Sequence, residues 1–236
     1  MQPFMAGQFA LAYERFMKST LLSVLAITVC AAPAVAATTS QPTSVVELFT
    51  SQGCSSCPTA NAFIADLDAD HPDVLALSYG VTYWDYLGWK DTFGDPAFTA
   101  RQRQYDQALD SGVYTPMMVV GGQAHAPRMP IDTATRANVP ASIALVRQSG
   151  ELCVEGNLPK GSKLALIGYE PGIQAVNVKK GENRGHTLIL ANVVTDLDYR
   201  EWSGQMVCGL HPKAGLAVLA HDATTAAIIG AARFEP

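Results

Sequence analysis

The stretch Val45-Val46-Glu47-Leu48-Phe49-Thr50-Ser51-Gln52-Gly53-Cys54-Ser55-Ser56-Cys57-Pro58 decides the reading of this chain. Val45 to Phe49 is a β-branched and aromatic run of strand length, and Thr50 to Gly53 turns it into a loop. The loop delivers two cysteines separated by two serines. Pro58 follows where a helix tolerates it, because a first-turn N–H has no partner to lose. Ala62, Phe63, Ala65 and Leu67 then recur at helical spacing, and Val74 to Tyr79 is a second apolar run. The stretch predicts a strand-helix-strand unit of the parallel kind, with Cys54 at or just before a helix N-terminus.

Two cysteines at such a position close a tight disulfide. The first thiol then faces the helix dipole and free backbone N–H groups, which favour thiolate over thiol. A free thiol titrates near ~8.5, whereas the reactive member of a C-x-x-C pair falls to roughly 3.5–7.5. Cys54 is the expected nucleophile and Cys57 the resolving partner; Ser55 and Ser56 bring no charge. Two other readings share the motif: a plain structural disulfide, or a soft-metal pair such as a copper-type metallochaperone or periplasmic binding module uses. No second C-x-x-C exists, Cys153 and Cys208 are far apart, and no His follows Cys57, which excludes c-type haem attachment. The expectation is of no metal and no cofactor.

Other residues gather around this chemistry. Glu47 interrupts an apolar strand seven positions before Cys54, where a half-buried carboxylate would shuttle the proton of Cys57; in the other register it faces solvent. Thr115-Pro116 precedes the strand-like Met117 to Val120. A cis bond there, opposite the cysteines, would offer a backbone edge to an extended substrate; otherwise Pro116 is an ordinary turn proline. The connection from Tyr83 to Pro96 is long for a loop and carries Trp84, Tyr86 and Trp89, either a rim that grips substrate or the packing of the loop itself. Met117 and Met118 read as packing, and Lys180 to Asn183 (KGEN) as turn chemistry.

Over 236 residues the chain is 48% hydrophobic and 16% charged, with 16 basic and 21 acidic residues. This excludes a disordered or collagen-like chain, and a net charge of -5 leaves no basic surface for non-specific nucleic-acid binding. Residues 1–36 read as a cleaved signal peptide: Arg15 and Lys18, an apolar run too short for a bilayer span, then Ala34-Val35-Ala36. Cleavage leaves no membrane segment and four cysteines, an even count that suits an oxidising compartment, periplasmic or secreted. Ala97 to Leu109 predicts a helix with Arg101, Gln104 and Asp106 on a polar face. A further helical stretch is expected from about Asp132 to Gln148, weakened by Pro140. Beyond Glu151 come short β-type runs, which suggest an antiparallel sandwich or a sheet appended to the first unit. Cys153 and Cys208 lie in two of those runs and are expected to form a structural disulfide.

Residues 47–58, Tyr83 to Trp89 (YWDYLGW), Tyr114 to Pro116 (YTP) and Lys180 to Asn183 together resemble a family of exported thioredoxin-like proteins, catalogued as domain of unknown function 1223. The resemblance runs from about Val45 to Phe234. It implies an α/β fold: a thioredoxin-like domain over 44–150, then an accessory, sandwich-like antiparallel β region over 151–236. It also implies a thiol-disulfide role in which Cys54, Cys57 and Pro116 carry the chemistry, the partner being a protein or small-molecule thiol or disulfide. This chain has Gly80, Thr82 and Met117 where family members tend to carry His, Asp and Gln.

Overall fold

A computed structural model describes residues 38–136, 138–140 and 142–236; the signal-peptide reading of residues 1–36 lies outside the described residues. In chain order the elements are β1 (Thr38–Ser40), β2 (Ser44–Thr50), α1 (Pro58–Asp70), β3 (Val74–Gly80), α2 (Pro96–Leu109), β4 (Met117–Val120), β5 (Ala124–Ala126), α3 (Ile131–Thr135), β6 (Ile143–Gln148), β7 (Glu151–Gly156), β8 (Lys163–Asn177), β9 (Thr187–Glu201), β10 (Val207–Leu210), β11 (Gly215–His221) and β12 (Ile228–Glu235). Nine strands form one mixed sheet in the order β1-β12-β11-β8-β9-β3-β2-β4-β5, and β10-β7-β6 form a second. The β2–β3 and β3–β9 pairs are parallel; the other pairs are antiparallel.

This architecture corrects the expected α/β thioredoxin-like fold with an appended sandwich-like region. The described residues are 43% strand and 18% helix. The decisive element is β9, which pairs with β3 through Ser78 and Val193 and so takes the edge on which a further strand-helix unit would have been laid. Within the region expected to hold only short β-type runs, Lys163–Asn177 is one long strand, β8. Its pairing with β9 shifts register between Glu170 and Ile173, where Gly172 at φ 76 donates its N–H to Asn192 Oδ1 at 2.8 Å. The helix expected over Asp132 to Gln148 stops at Thr135. Pro140 has no N–H to continue it, and Ile143 to Gln148 alternates in burial as a strand does.

Period-2 alternation assigns each strand face to a core. On β2, Val46 and Leu48 pack with Ile64 and Leu67 of α1, while Val45 and Phe49 point the other way, toward Phe98 and Tyr105 of α2. On β11, Ala217 and Leu219 join that same second core, whereas Leu216, Val218 and Ala220 face the small sheet with Leu145, Val154 and Trp202. With both faces covered, β11 reads as a continuous apolar run. Each fully buried Val, Leu, Ile or Phe contributes roughly 1.5–3 kcal/mol. The sheet curls back on itself: Ile228 donates its N–H to the Gly121 carbonyl at 2.9 Å. Gly121 and Gly122, at φ 58 and 68, make the tight β4–β5 turn, and a Cβ on Gly122 would strike the Ala226 carbonyl.

Candidate functional site

β2 ends at Thr50, and the chain then makes two successive backbone turns, Cys54 N–H to Ser51 O at 3.1 Å and Cys57 N–H to Cys54 O at 3.2 Å. Cys57 is the N-cap of α1 and Pro58 its first residue. Cys54 and Cys57 are joined by a disulfide with a Cα–Cα separation of 5.5 Å. Both are buried, Cys54 being 1% and Cys57 0% exposed. Ser56 Oγ lies 3.3 Å from Cys54 Sγ and 3.5 Å from the Thr115 carbonyl, so the serine bridges the disulfide to the segment before β4. The Thr115–Pro116 bond is cis.

The aromatic connection closes over one side of this loop. Trp84 donates its Nε1–H to Thr115 Oγ1 at 2.8 Å, and Trp89 donates to Gln52 Oε1 at 2.8 Å. Tyr86 stacks on Trp84 with ring centroids 6.5 Å apart and stands 78% exposed on the rim. Asp91 accepts the Gln52 N–H at 2.8 Å and the Phe93 N–H at 2.9 Å. Burial pushes the Asp91 carboxyl above its ordinary range despite these two donors. From the turn between β8 and β9, Asn183 donates to the carbonyls of Gln52 (3.0 Å) and Cys54 (2.8 Å), and Glu182 accepts the Ser55 N–H at 3.0 Å. Beside the cysteines runs a groove of about 620 Å³ whose lining includes Ser56, Phe63, Thr115, Pro116, Met118 and Met129.

The structure thus brings together Cys54, Cys57, Thr115, Pro116, Trp84 and Trp89, with Tyr86 at the edge. Glu47 goes elsewhere. It is wholly buried on the α2 side of β2 and pairs with Arg101, Nε to Oε1 at 2.7 Å and Nη2 to Oε2 at 3.0 Å, and it accepts the Tyr105 hydroxyl. Arg101 also donates to Tyr199 Oη (3.1 Å) and lies over the Tyr105 ring at 5.3 Å. His221 Nε2 is 3.1 Å from Arg101 Nη2, and Nδ1 is 3.0 Å from the Ala226 carbonyl. A carbonyl only accepts, so Nδ1 carries the proton and Nε2 receives the guanidinium N–H. Burial raises the Glu47 carboxyl, but the Arg101 charge and hydrogen bonds, with His221 and Tyr105, outweigh it and hold the group below its ordinary value.

Arg101, expected on a polar face, is therefore one of the most buried side chains of α2, at 2% exposure. A carboxylate inside an apolar strand signals a cationic partner, and that signal was available in Glu47 itself. Glu182 and Asn183 were missed as neighbours of the cysteines because a turn signature says nothing about what the turn docks on. Cys153 and Cys208, on β7 and β10 of the small sheet, are bridged with a Cα–Cα separation of 4.0 Å. Among the described residues, no group of three or more His, Cys, Asp or Glu side chains converges as a metal site would.

A family model described as "Protein of unknown function (DUF1223)" matches residues 45–229, from β2 into β12. The chain belongs to the DUF1223 family. The matched span contains the CSSC loop, the aromatic connection, Thr115–Pro116 and Lys180 to Asn183, so the DUF1223 match covers every segment that meets at this site. No curated protein matches the chain. Among solved structures, it is similar to the crystal structure of protein AGR_C_4864 from Agrobacterium tumefaciens, at 29% identity and a TM-score of 0.67. That alignment covers 83% of this DUF1223 chain and 95% of the other. It is also similar in fold to HBP35 of Porphyromonas gingivalis, at 12% identity and a TM-score of 0.51, over 82% of this chain and 74% of that one.

Proposed function

We propose that this protein is a thiol-disulfide oxidoreductase of the periplasm or the cell exterior, which exchanges electrons with a protein or small-molecule thiol through Cys54 and Cys57. One observation supports the reading above the others: the disulfide lies at the N-terminus of a 13-residue helix and is bridged by Ser56 to the Thr115 carbonyl, beside an apolar groove. The helix end stabilises a thiolate on Cys54 once the bond opens. The groove, with Phe63, Met118 and Met129, suits an apolar segment of a substrate chain.

The exchange balances without a cofactor. A substrate thiolate attacks Cys54 Sγ, a mixed disulfide forms, and the Cys54–Cys57 bond breaks with its electron pair on Cys57, which takes up a proton. A second substrate thiol then attacks the mixed disulfide and releases Cys54 as thiolate, leaving the substrate oxidised by two electrons. In the reverse direction Cys54 attacks a substrate disulfide and Cys57 resolves it.

Two measurements test the reading. Cys57→Ser, with Cys54 reduced, is expected to attack a disulfide substrate such as oxidised glutathione, releasing one half as thiolate and keeping the other as a mixed disulfide, seen as a mass adduct on Cys54 that dithiothreitol removes. The wild-type pair, equilibrated in graded thiol-disulfide buffers, is expected to have a potential between about -120 and -270 mV. A value below roughly -300 mV together with no adduct would mark a structural bond and end the proposal.

A further inference from the structure

An oxidoreductase whose attacked sulfur is 1% exposed must open before it reacts. The loop that carries it is held by a segment from the turn between β8 and β9. That turn is held by its own backbone, with Val178 N–H to His186 O at 3.0 Å, Gly185 N–H to Val178 O at 2.9 Å and His186 N–H to Asn183 O at 3.1 Å. Its base is fixed by an apolar cluster of Val178, Leu188, Leu190 and Val193, against which Trp89 and Phe93 pack. The tip carries Gly181 at φ 78, where a Cβ would sit 3.7 Å from both Gly53 Cα and Trp89 Cβ. The turn is therefore a built element that reaches the cysteine loop as a unit.

Its grip on that loop is polar. Asn183, 5% exposed, uses both amide hydrogens on the Gln52 and Cys54 carbonyls, and Glu182, exposed, takes the Ser55 N–H. These three contacts bracket Cys54. They join the loop by hydrogen bonds that water can replace once the tip lifts, while the apolar base of the turn stays packed. Glu182 also holds a carboxylate on a backbone N–H next to Cys54, close to where a thiolate would form. Like charges oppose each other there, so a Cys54 thiolate disfavours the closed contact.

We propose that Lys180 to Asn183 form a releasable strap over the Cys54–Cys57 bond, and that lifting Glu182 and Asn183 off the loop admits a thiol to Cys54 Sγ. The strap regulates the site described above and rests on the reading of Cys54 as the attacked sulfur. In the step it controls, an incoming thiolate or phosphine attacks Cys54 Sγ, the Cys54–Cys57 bond breaks, and Cys57 leaves with the electron pair and takes up a proton; with the phosphine, water then displaces Cys54 as a thiol and the phosphine becomes its oxide.

The test is the rate at which each disulfide of the full chain is reduced by tris(2-carboxyethyl)phosphine, read by timed alkylation and mass spectrometry. Asn183→Ala is expected to speed reduction of Cys54–Cys57 about tenfold while leaving Cys153–Cys208 at its wild-type rate, since 1.4 kcal/mol of lost closure is a factor of 10. Glu182→Ala, at an exposed position, is expected to act in the same direction by about threefold. It is measured at 1 M salt, where the Debye length is about 3 Å and the missing charge itself is screened. Unchanged Cys54–Cys57 rates in both variants, or equal acceleration of both disulfides, would overturn the strap. Acceleration confined to Cys54–Cys57 upholds it even where Cys57→Ser traps no adduct, in which case only the oxidoreductase reading fails.

Discussion

Replacing Arg101 by Met is expected to lower the free energy of unfolding by about 3–5 kcal/mol, the usual cost of leaving one member of a buried ion pair without its partner. Glu47, 0% exposed, keeps only the Tyr105 hydroxyl as a donor, and Tyr199 and His221 lose the guanidinium they face. The carboxylate then has to remain charged in an apolar core or take up a proton. Glu47→Met alone strands the guanidinium in the same way. The double variant is expected to lose less than the two single losses combined, because two apolar side chains leave no unpaired charge. Urea unfolding of the four proteins gives the coupling directly. Strict additivity would show that the pair does not act as a unit.

Lowering the pH is expected to weaken the fold through the same cluster. Burial, with the Arg101 charge beside it, pushes the His221 imidazole from 6.5 down to about 4, so the folded chain keeps it neutral. Between those two values the unfolded chain binds a proton that the folded chain refuses. Stability is therefore complete above about pH 6.5 and falls as the pH drops toward about 4, by roughly 3 kcal/mol in total for this one group. Glu47, held below its ordinary value, adds to the loss on the acid side of that window, because its stabilisation disappears as pH falls through its folded value. His221→Gln can still donate to Ala226 O and accept from Arg101, and it does not titrate. Denaturation midpoints at pH 7, 5.5 and 4 should show a shallower decline in the variant; parallel curves would assign the acid sensitivity to another group.

The parts of this molecule that were legible in its sequence are the local ones. Val45 to Phe49, Cys54-x-x-Cys57 and Pro58 specify a strand, a loop and a helix start through turn chemistry and spacing, and β2, one residue longer at each end, the CSSC loop and α1 follow them. Thr115–Pro116 and the tryptophans lie against that loop. What escaped was long-range. The pairing of β9 with β3 joins Ser78 to Val193, and strand propensity in either segment carries no record of its partner. Pro171 and Gly172 are residue types that commonly interrupt a strand, whereas a register shift lets β8 run through them. Arg101 looked solvated because charge on a helix usually is, and only its pairing with Glu47 explains its burial.

The contact between Asn183 and Cys54 spans 129 positions of chain. At roughly 5 to 20 residues per second, a ribosome finishes the cysteine loop about 6 to 26 s before it reaches Asn183. For that interval the two thiols emerge without the strap, although the aromatic connection and Thr115 are made within it. Whichever oxidant or thiol meets the nascent segment then acts on a pair the strap does not yet hold, and the strap, arriving last, encloses the bond that chemistry has already chosen.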